Sequence, residues 1–133
     1  MIGETVKKYS NELYALFSLL VGFMFFQHGT GKLFGWFGGS AFEFASLMGV
    51  AGIVEVVVGL ALFLGLFSRL AALLGAVQML VAYVKAHLLI GGFNPLTNGG
   101  ELALLFFAAF LIVLIHGNHN WSLEKKLVGK EQF

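Results

Sequence analysis

Apolar residues follow one another in long runs along this chain, with few polar positions inside the runs. The runs extend over about residues 11–34, 42–67, 69–90 and 98–116. A helix needs about 20 mainly apolar residues to cross a bilayer, whereas a membrane β-strand would show strict alternation. The pattern predicts an all-α membrane protein, a bundle of four transmembrane helices with short loops, formed by a single domain of residues 1–133.

The segments between the runs support this division. Ser68-Arg69 leaves room for only a tight turn, and Gly91–Pro95, with the one proline, is the strongest loop signal. Lys7-Lys8 before the first run resembles the start of a signal peptide, but no small-x-small cleavage site follows the run. We therefore expect the first run to remain in the protein as helix one.

Composition excludes several classes of protein. Hydrophobic residues make up 59% of the chain and charged residues 11%, against roughly 45–50% and about 25% in soluble domains. The expected partner is therefore the lipid bilayer. A net charge of +1 without a basic stripe argues against nucleic-acid binding. The absence of cysteine excludes disulfides and thiolate-held clusters within this chain.

Basic residues indicate the orientation. With four spans, the start of the chain, the turn between spans two and three and the segment after span four lie on the same side of the membrane. These three segments carry most of the basic residues: Lys7, Lys8, Arg69, Lys125, Lys126 and Lys130. Because cytoplasmic segments are enriched in Lys and Arg, we expect a multi-pass protein of the cell membrane with both termini in the cytoplasm. Lys32 and Lys85 do not fit this count, but both lie near helix ends.

Polar side chains gather in the outer half of the predicted bundle, whereas the inner half is almost entirely Leu, Val, Ala and Phe. They form a candidate ligand-binding set: His28, Lys32, Glu55, Gln78, Lys85, His87 and Glu101. Glu43 and Glu101 are expected to open helices two and four. No metal site is predicted, because the carboxylates and histidines follow no fixed ligand spacing.

Glu55 is the most informative member of this set. An acid in mid-membrane costs roughly 2.5–3.5 kcal/mol on insertion scales and should face the bundle interior with a partner. Gly52 and Gly59 flank it on the same helix face, which favours close helix approach. We predict a contact between Glu55 and Gln78, with Lys85 above it. The contact is either part of a functional site or a polar clamp between helices.

The histidines leave alternatives open. His28 and Lys32 share one helix face and either enter the site or lie at the interface. His87 follows Gln78 by nine residues, which places it on the opposite face of helix three. Haem ligation would require His28 and His87 to face one cavity. His116 and His119 are expected at the level of the lipid headgroups.

The order of several short motifs resembles the DoxX family of small four-helix membrane proteins. The resemblance runs from about Leu13 to Glu124. At its last position the family commonly has Asp, where this chain has Glu124. The motifs are His28-Gly29 with Lys32, Glu55 with Gly59, Gly65-Leu-Phe-Ser-Arg69, Ala82 with His87, Asn94-Pro95, Asn98-Gly-Gly-Glu101, Gly117 and Ser122-Leu123-Glu124. The resemblance to this family implies a redox-associated membrane protein, since some members are described as subunits of thiosulfate:quinone oxidoreductases.

Three functions remain in view. The first is a quinone- or redox-associated component, as a homo-oligomer or complex subunit, with quinone as ligand and a redox partner protein as electron source. The second is a non-catalytic assembly or scaffold protein. The third is a small proton-coupled transporter with Glu55 as its proton site. Whether the chain is itself an enzyme is left open. Its short loops have no room for a nucleotide cofactor, so any electron source would come from another subunit.

Overall fold

The chain folds into helices packed side by side. The structure is a computed structural model that describes residues 1–130, so the last three residues of the expected domain lie outside the described part. Residues 1–130 contain no β-strand. The helices are α1 (Ile2–Lys8), α2 (Ser10–Phe34), α3 (Leu47–Leu64), α4 (Ser68–Tyr83), α5 (Leu89–Gly91), α6 (Pro95–Asn98), α7 (Glu101–His116) and α8 (Leu123–Val128).

Three of these helical segments are long and apolar enough to cross a membrane. They are Ser10–Phe34, Leu47–Leu64 and the continuous stretch Ser68–Gly91, in which a π-helical turn at Val84–Leu88 joins α4 to α5. The fourth predicted span, over about 98–116, is shorter: α7 begins at Glu101 and has 16 residues. Gly99, with a φ of +78°, ends α6 in the left-handed conformation and separates it from α7.

The second helix also differs from its predicted bounds, because it begins at Leu47 and not at about Phe42. The Ser46 side chain caps α3 by accepting a hydrogen bond from the Gly49 N–H at 3.0 Å. The preceding loop is tied back to α2, since the Phe42 N–H donates to the Lys32 carbonyl at 2.7 Å. Glu43 therefore lies exposed in this loop and does not open the helix.

Glycines allow α2 and α3 to pack with their backbones in contact. A methyl group added at Gly59 would come within 2.5 Å of the Phe26 nitrogen, and one at Gly29 within 2.6 Å of the Gly52 carbonyl oxygen. Small residues at these positions are the usual means of close approach between membrane helices. This confirms the prediction that the face of Gly52 and Gly59 meets another helix.

Aromatic packing joins this pair to a second pair formed by α4 and α7. The Phe25 ring meets the Phe110 ring edge-on, with centroids 4.8 Å apart, and Phe110 in turn fills the space left by Gly75. These residues lie in the buried core of the bundle with Val58 and Val113. Apolar side chains also cover its outer surface, since Leu20, Val57, Val77 and Leu105 are each at least half exposed. A contiguous apolar exterior of this kind is expected of a protein that sits in lipid.

The bundle has two ends, which are named here by their connections. At the terminal end, α2 begins and α7 ends, and the Tyr14 hydroxyl donates to the Gly117 carbonyl at 2.6 Å. The turn from α3 to α4 lies at this end too, because His119 Nε2 is 3.1 Å from the Phe63 carbonyl oxygen. The distal end holds the loop from α2 to α3 and the loop from α5 to α7.

The close contact between α2 and α3 predicts a measurable effect of one methyl group. Gly59→Ala should lower the free energy of unfolding in detergent by about 1–3 kcal/mol, the usual cost of overpacking, because the new Cβ meets backbone atoms that cannot move aside. Gly3→Ala is the matched control, since a Cβ at Gly3 has no neighbour within 4 Å. Equal stability of Gly59→Ala and wild type would contradict this packing.

Candidate functional site

Glu55 lies in the middle of α3 and contacts side chains from both neighbouring helices. Its carboxylate is 2% exposed and forms an ion pair with Lys32 of α2, with 2.5 Å between Nζ and Oε1. Oε1 also accepts a hydrogen bond from Gln78 Nε2 of α4 at 3.0 Å. The predicted contact of Glu55 with Gln78 is confirmed, and Lys32 is a partner that the sequence did not indicate.

The antiparallel arrangement of α2 and α3 explains why Lys32 reaches Glu55. Side chains in a helix lean toward its N-terminus. Lys32 therefore leans toward the middle of the bundle, and Glu55 leans toward the distal end, where α3 begins. The Lys32 Cβ lies only 3.0 Å from the position that a Cβ at Gly52 would take. The absence of a side chain at Gly52 leaves space for the lysine beside α3.

The Gln78 amide has one preferred orientation. Its nitrogen donates both to Glu55 Oε1 and to the Ala51 carbonyl oxygen, the latter at 3.3 Å. Both partners are acceptors, so turning the amide over would place oxygen against oxygen. Within the described chain, Glu55 Oε2 and Gln78 Oε1 are then buried oxygens without a hydrogen-bond partner. The cluster thus retains two buried acceptors that a donor could satisfy.

A cleft of about 530 Å³ opens at the distal end beside this cluster; we call it the distal cleft. It lies between the end of α2, the following loop, Met48 of α3 and the start of α7. The polar lining includes Gln27, His28 and Lys32, and aromatic rings surround them: Trp36, Phe37, Phe42 and Phe106. Lys32 is 23% exposed. It therefore connects the surface of the cleft to the buried carboxylate of Glu55.

His28 stands on the wall of the distal cleft, one helical turn from Lys32. Its ring lies edge-on to Phe106 of α7, with centroids 5.6 Å apart. His28 is otherwise exposed and makes no hydrogen bond to the described residues. His28 and Lys32 therefore lie on the same face of α2, as predicted, and both line the distal cleft.

The other predicted site residues lie elsewhere. Lys85 is exposed, lies in the π-helical turn at Val84–Leu88 and does not line the distal cleft. His87 Nδ1 is 3.1 Å from the Asn98 carbonyl oxygen in the distal loop, and His87 does not line the distal cleft with His28. Glu101 is exposed at the start of α7, as expected, beside Leu102 of the cleft.

A second buried polar cluster, at the terminal end, was not predicted. Glu124 is 1% exposed; its carboxylate accepts hydrogen bonds from the Phe67 N–H at 2.7 Å and from Asn118 Nδ2 at 3.2 Å. His119 is 3% exposed, beneath the turn from α3 to α4, and its expected position at the headgroup level stays a prediction. Ser122 completes the cluster by donating to the Gly65 carbonyl at 2.6 Å. This cluster fastens the turn to the C-terminal segment.

The ion pair of Lys32 with Glu55 predicts strong coupling between the two residues. Lys32→Met should lower the free energy of unfolding by about 3 kcal/mol, the lower range for a broken buried pair, because it leaves a buried carboxylate unpaired. Lys32→Met with Glu55→Gln should recover most of this loss, and Lys85→Met, at an exposed lysine, should change little. Chemical unfolding in detergent gives all of these values, and additive effects of the two site substitutions would refute the pairing.

Comparisons with known proteins agree with the fold and the motifs. The DoxX family model matches residues 15–88, which include most of α2, all of α3 and α4, and the site residues Lys32, Glu55 and Gln78. A protein of Haemophilus influenzae, described as an uncharacterized protein, is 36% identical over an alignment that covers 96% of this chain and 99% of the relative. No solved structure was found to match. The resemblance noted in the sequence is confirmed, and the chain belongs to the DoxX family.

Proposed function

We propose that this protein is a four-helix, multi-pass protein of the cell membrane whose distal cleft binds a flat, apolar carbonyl compound of the quinone class. The observation that carries the proposal is the ion pair between the buried Glu55 and the partly exposed Lys32, which lines an aromatic cleft. Ionisable groups held within membrane helices usually mark ligand or proton pathways. In this protein such a pair lies beside a cleft of ligand-binding size.

The lining of the distal cleft fits a quinone. Trp36, Phe37 and Phe106 offer ring faces and edges on which a flat ring can stack. The Lys32 ammonium and the His28 ring can donate hydrogen bonds to carbonyl oxygens. A bound quinone supplies the capacity to take up electrons and protons in equal number.

Residues of this chain would handle the proton and hold the ring. Lys32 donates to a ligand carbonyl, and Glu55 beneath it holds or accepts a proton on its unpartnered oxygen, which is Oε2. Gln78 keeps the carboxylate in place through its fixed amide. The electrons would come from a redox partner protein, with which the chain would form a complex.

A scaffold function is the second candidate, and one observation favours it. Glu55 joins three helices at once, through Lys32 of α2 and Gln78 of α4. Such a contact could serve only to hold the bundle together, at about 0.6–2 kcal/mol per hydrogen bond. In that case Lys32→Met with Glu55→Gln, which removes both charges and keeps an acceptor oxygen at position 55, would preserve stability and every other property, whereas Glu55→Leu would weaken helix packing. Proton-coupled uptake into vesicles would instead favour transport.

The two tryptophans provide a direct test of quinone binding. Trp36 lines the distal cleft and Trp121 lies at the other end. In a Trp121→Phe background, a short-chain ubiquinone should quench Trp36 fluorescence saturably. Lys32→Met should weaken this binding about tenfold or more, because a charge-assisted hydrogen bond contributes about 1.5–3 kcal/mol.

Two controls separate this result from unspecific quenching. In a Trp36→Phe background, Trp121 should show only a linear collisional response. Lys85→Met, at a lysine outside the distal cleft, should leave the affinity unchanged. Linear quenching of Trp36 in the otherwise unchanged protein would refute quinone binding there and favour the scaffold function.

The proposed topology places both ends of the described chain in the cytoplasm, as the basic residues of the terminal end indicate. Because the chain has no cysteine, single cysteines can report on each side. Phe93→Cys, at a side chain that is 89% exposed, should react with an impermeant thiol reagent in intact cells. Lys8→Cys should react only after the membrane is made permeable, and the reverse pattern would overturn the orientation.

A further inference from the structure

The terminal end holds a second cleft, of about 710 Å³, which the proposed function does not use. We call it the terminal cleft. It lies between the start of α2, the end of α7 and the segment that leads into α8. Its polar lining includes hydroxyl, amide, imidazole and ammonium groups, from Ser10, Asn11, His116, Asn120, Lys125 and Lys130.

Contacts between the helices hold the walls of the terminal cleft in place. The Tyr14 hydroxyl donates to the Gly117 carbonyl at 2.6 Å, and the Tyr14 ring lies 5.2 Å from the His116 ring. On the far side, the backbone N–H of Lys125 donates to the Ser122 hydroxyl at 3.2 Å. Polar residues of α2, α7 and the segment around α8 therefore line one structured opening.

The charge of the terminal cleft favours an anion. Lys125 and Lys130 line it, and no Asp or Glu side chain of the described residues does. The nearest acid in sequence, Glu124, is buried and accepts hydrogen bonds from the Phe67 N–H and from Asn118. Two ammonium groups with several neutral donors match the oxygens of a phosphate group.

The same cleft also has an apolar side, which a free phosphate would not need. Val6 of α1 and Leu13 of α2 line it. Tyr9 and Trp121, both about half exposed, lie nearby in sequence at this end, and such amphipathic rings are typical of the boundary between membrane and water. Apolar and cationic groups thus line one cleft, a combination that fits the junction between a lipid headgroup and its acyl chains.

We propose that the terminal cleft binds the headgroup of an anionic phospholipid. Its phosphate lies between Lys125 and Lys130, and its glycerol and first methylene groups lie against Val6 and Leu13. Basic pockets at the ends of membrane helices bind anionic lipids through the same combination of charge and apolar contact. This site is separate from the distal cleft, and its existence does not depend on quinone binding.

The experiment is native mass spectrometry of the full-length protein in detergent, titrated separately with phosphatidylglycerol, phosphatidylcholine and inorganic phosphate. Phosphatidylglycerol should bind with a defined stoichiometry and clearly more tightly than phosphatidylcholine. Lys125→Gln with Lys130→Gln should weaken its binding about thirtyfold, given the attraction of about 1 kcal/mol per lysine near an anionic surface. The variant Lys125→Arg with Lys130→Arg keeps both positive charges and should retain lipid binding. This result would show that the fold tolerates substitution at both positions.

Lys7→Gln with Lys126→Gln is the matched control, because it removes the same charge from exposed lysines that do not line the terminal cleft. It should weaken binding only slightly. An equal loss in both double variants would mean that general surface charge attracts the lipid and would overturn the site. Binding of inorganic phosphate alone, with the same dependence on Lys125 and Lys130, would overturn the lipid assignment in favour of a soluble phosphate ligand.

Discussion

The arrangement of Lys32, Glu55 and Gln78 beside the distal cleft depends on one constraint. A carboxylate in the middle of an apolar helix needs a compensating positive charge from a neighbouring helix. Glu55 obtains this from Lys32, whose ammonium lies 2.5 Å away. The pairing is possible only because α2 and α3 touch at Gly29, Gly52 and Gly59, which brings the lysine stem against the backbone of α3. The glycines therefore contribute to the electrostatics of the site as well as to packing. A wider gap between the helices would leave both charges in a medium of low dielectric constant, where neither is stable alone.

The two ends of the bundle differ in chemistry because different connections close them. At the distal end, the loop after α2 brings Trp36 and Phe37 over His28 and Lys32 and leaves an aromatic cleft. At the terminal end, the segment after α7 folds back over the turn between α3 and α4, where Glu124 binds the N–H of Phe67. Phe67 has a φ of +47°, which is unfavourable for a bulky residue. The hydrogen bond from its N–H stabilises this strained turn.

Local pattern predicted most of the helices, but it could not predict contacts that depend on how helices pair. Length and hydropathy located α2 and the stretch from Ser68 to Gly91, and flanking glycines indicated the contact of Glu55 with Gln78. Lys32 was missed because its partner is on another helix, although a search for intramembrane charges of opposite sign would have paired them. Lys85 was expected near Glu55 because regular helical spacing was assumed, whereas the structure has it exposed within a π-helical turn. The environment of His119 and Glu124 depends on a tertiary fold-back that no periodicity encodes.

A comparison of the two buried acids within this chain bears on whether Glu55 is only a clamp. Both oxygens of Glu124 accept hydrogen bonds from the described chain, as expected of a purely structural carboxylate. Glu55 has equal burial, yet its Oε2 and the neighbouring Gln78 Oε1 have no partner there. The hydroxyl of Ser68 is the other buried group of this kind in residues 1–130, and a neutral hydroxyl costs far less to desolvate than a carboxylate. A clamp gains nothing from an unsatisfied oxygen, whereas a site that receives a proton or a donor group requires one. The free Oε2 of Glu55 is the atom at which the proposed ligand or proton site beneath the distal cleft would act.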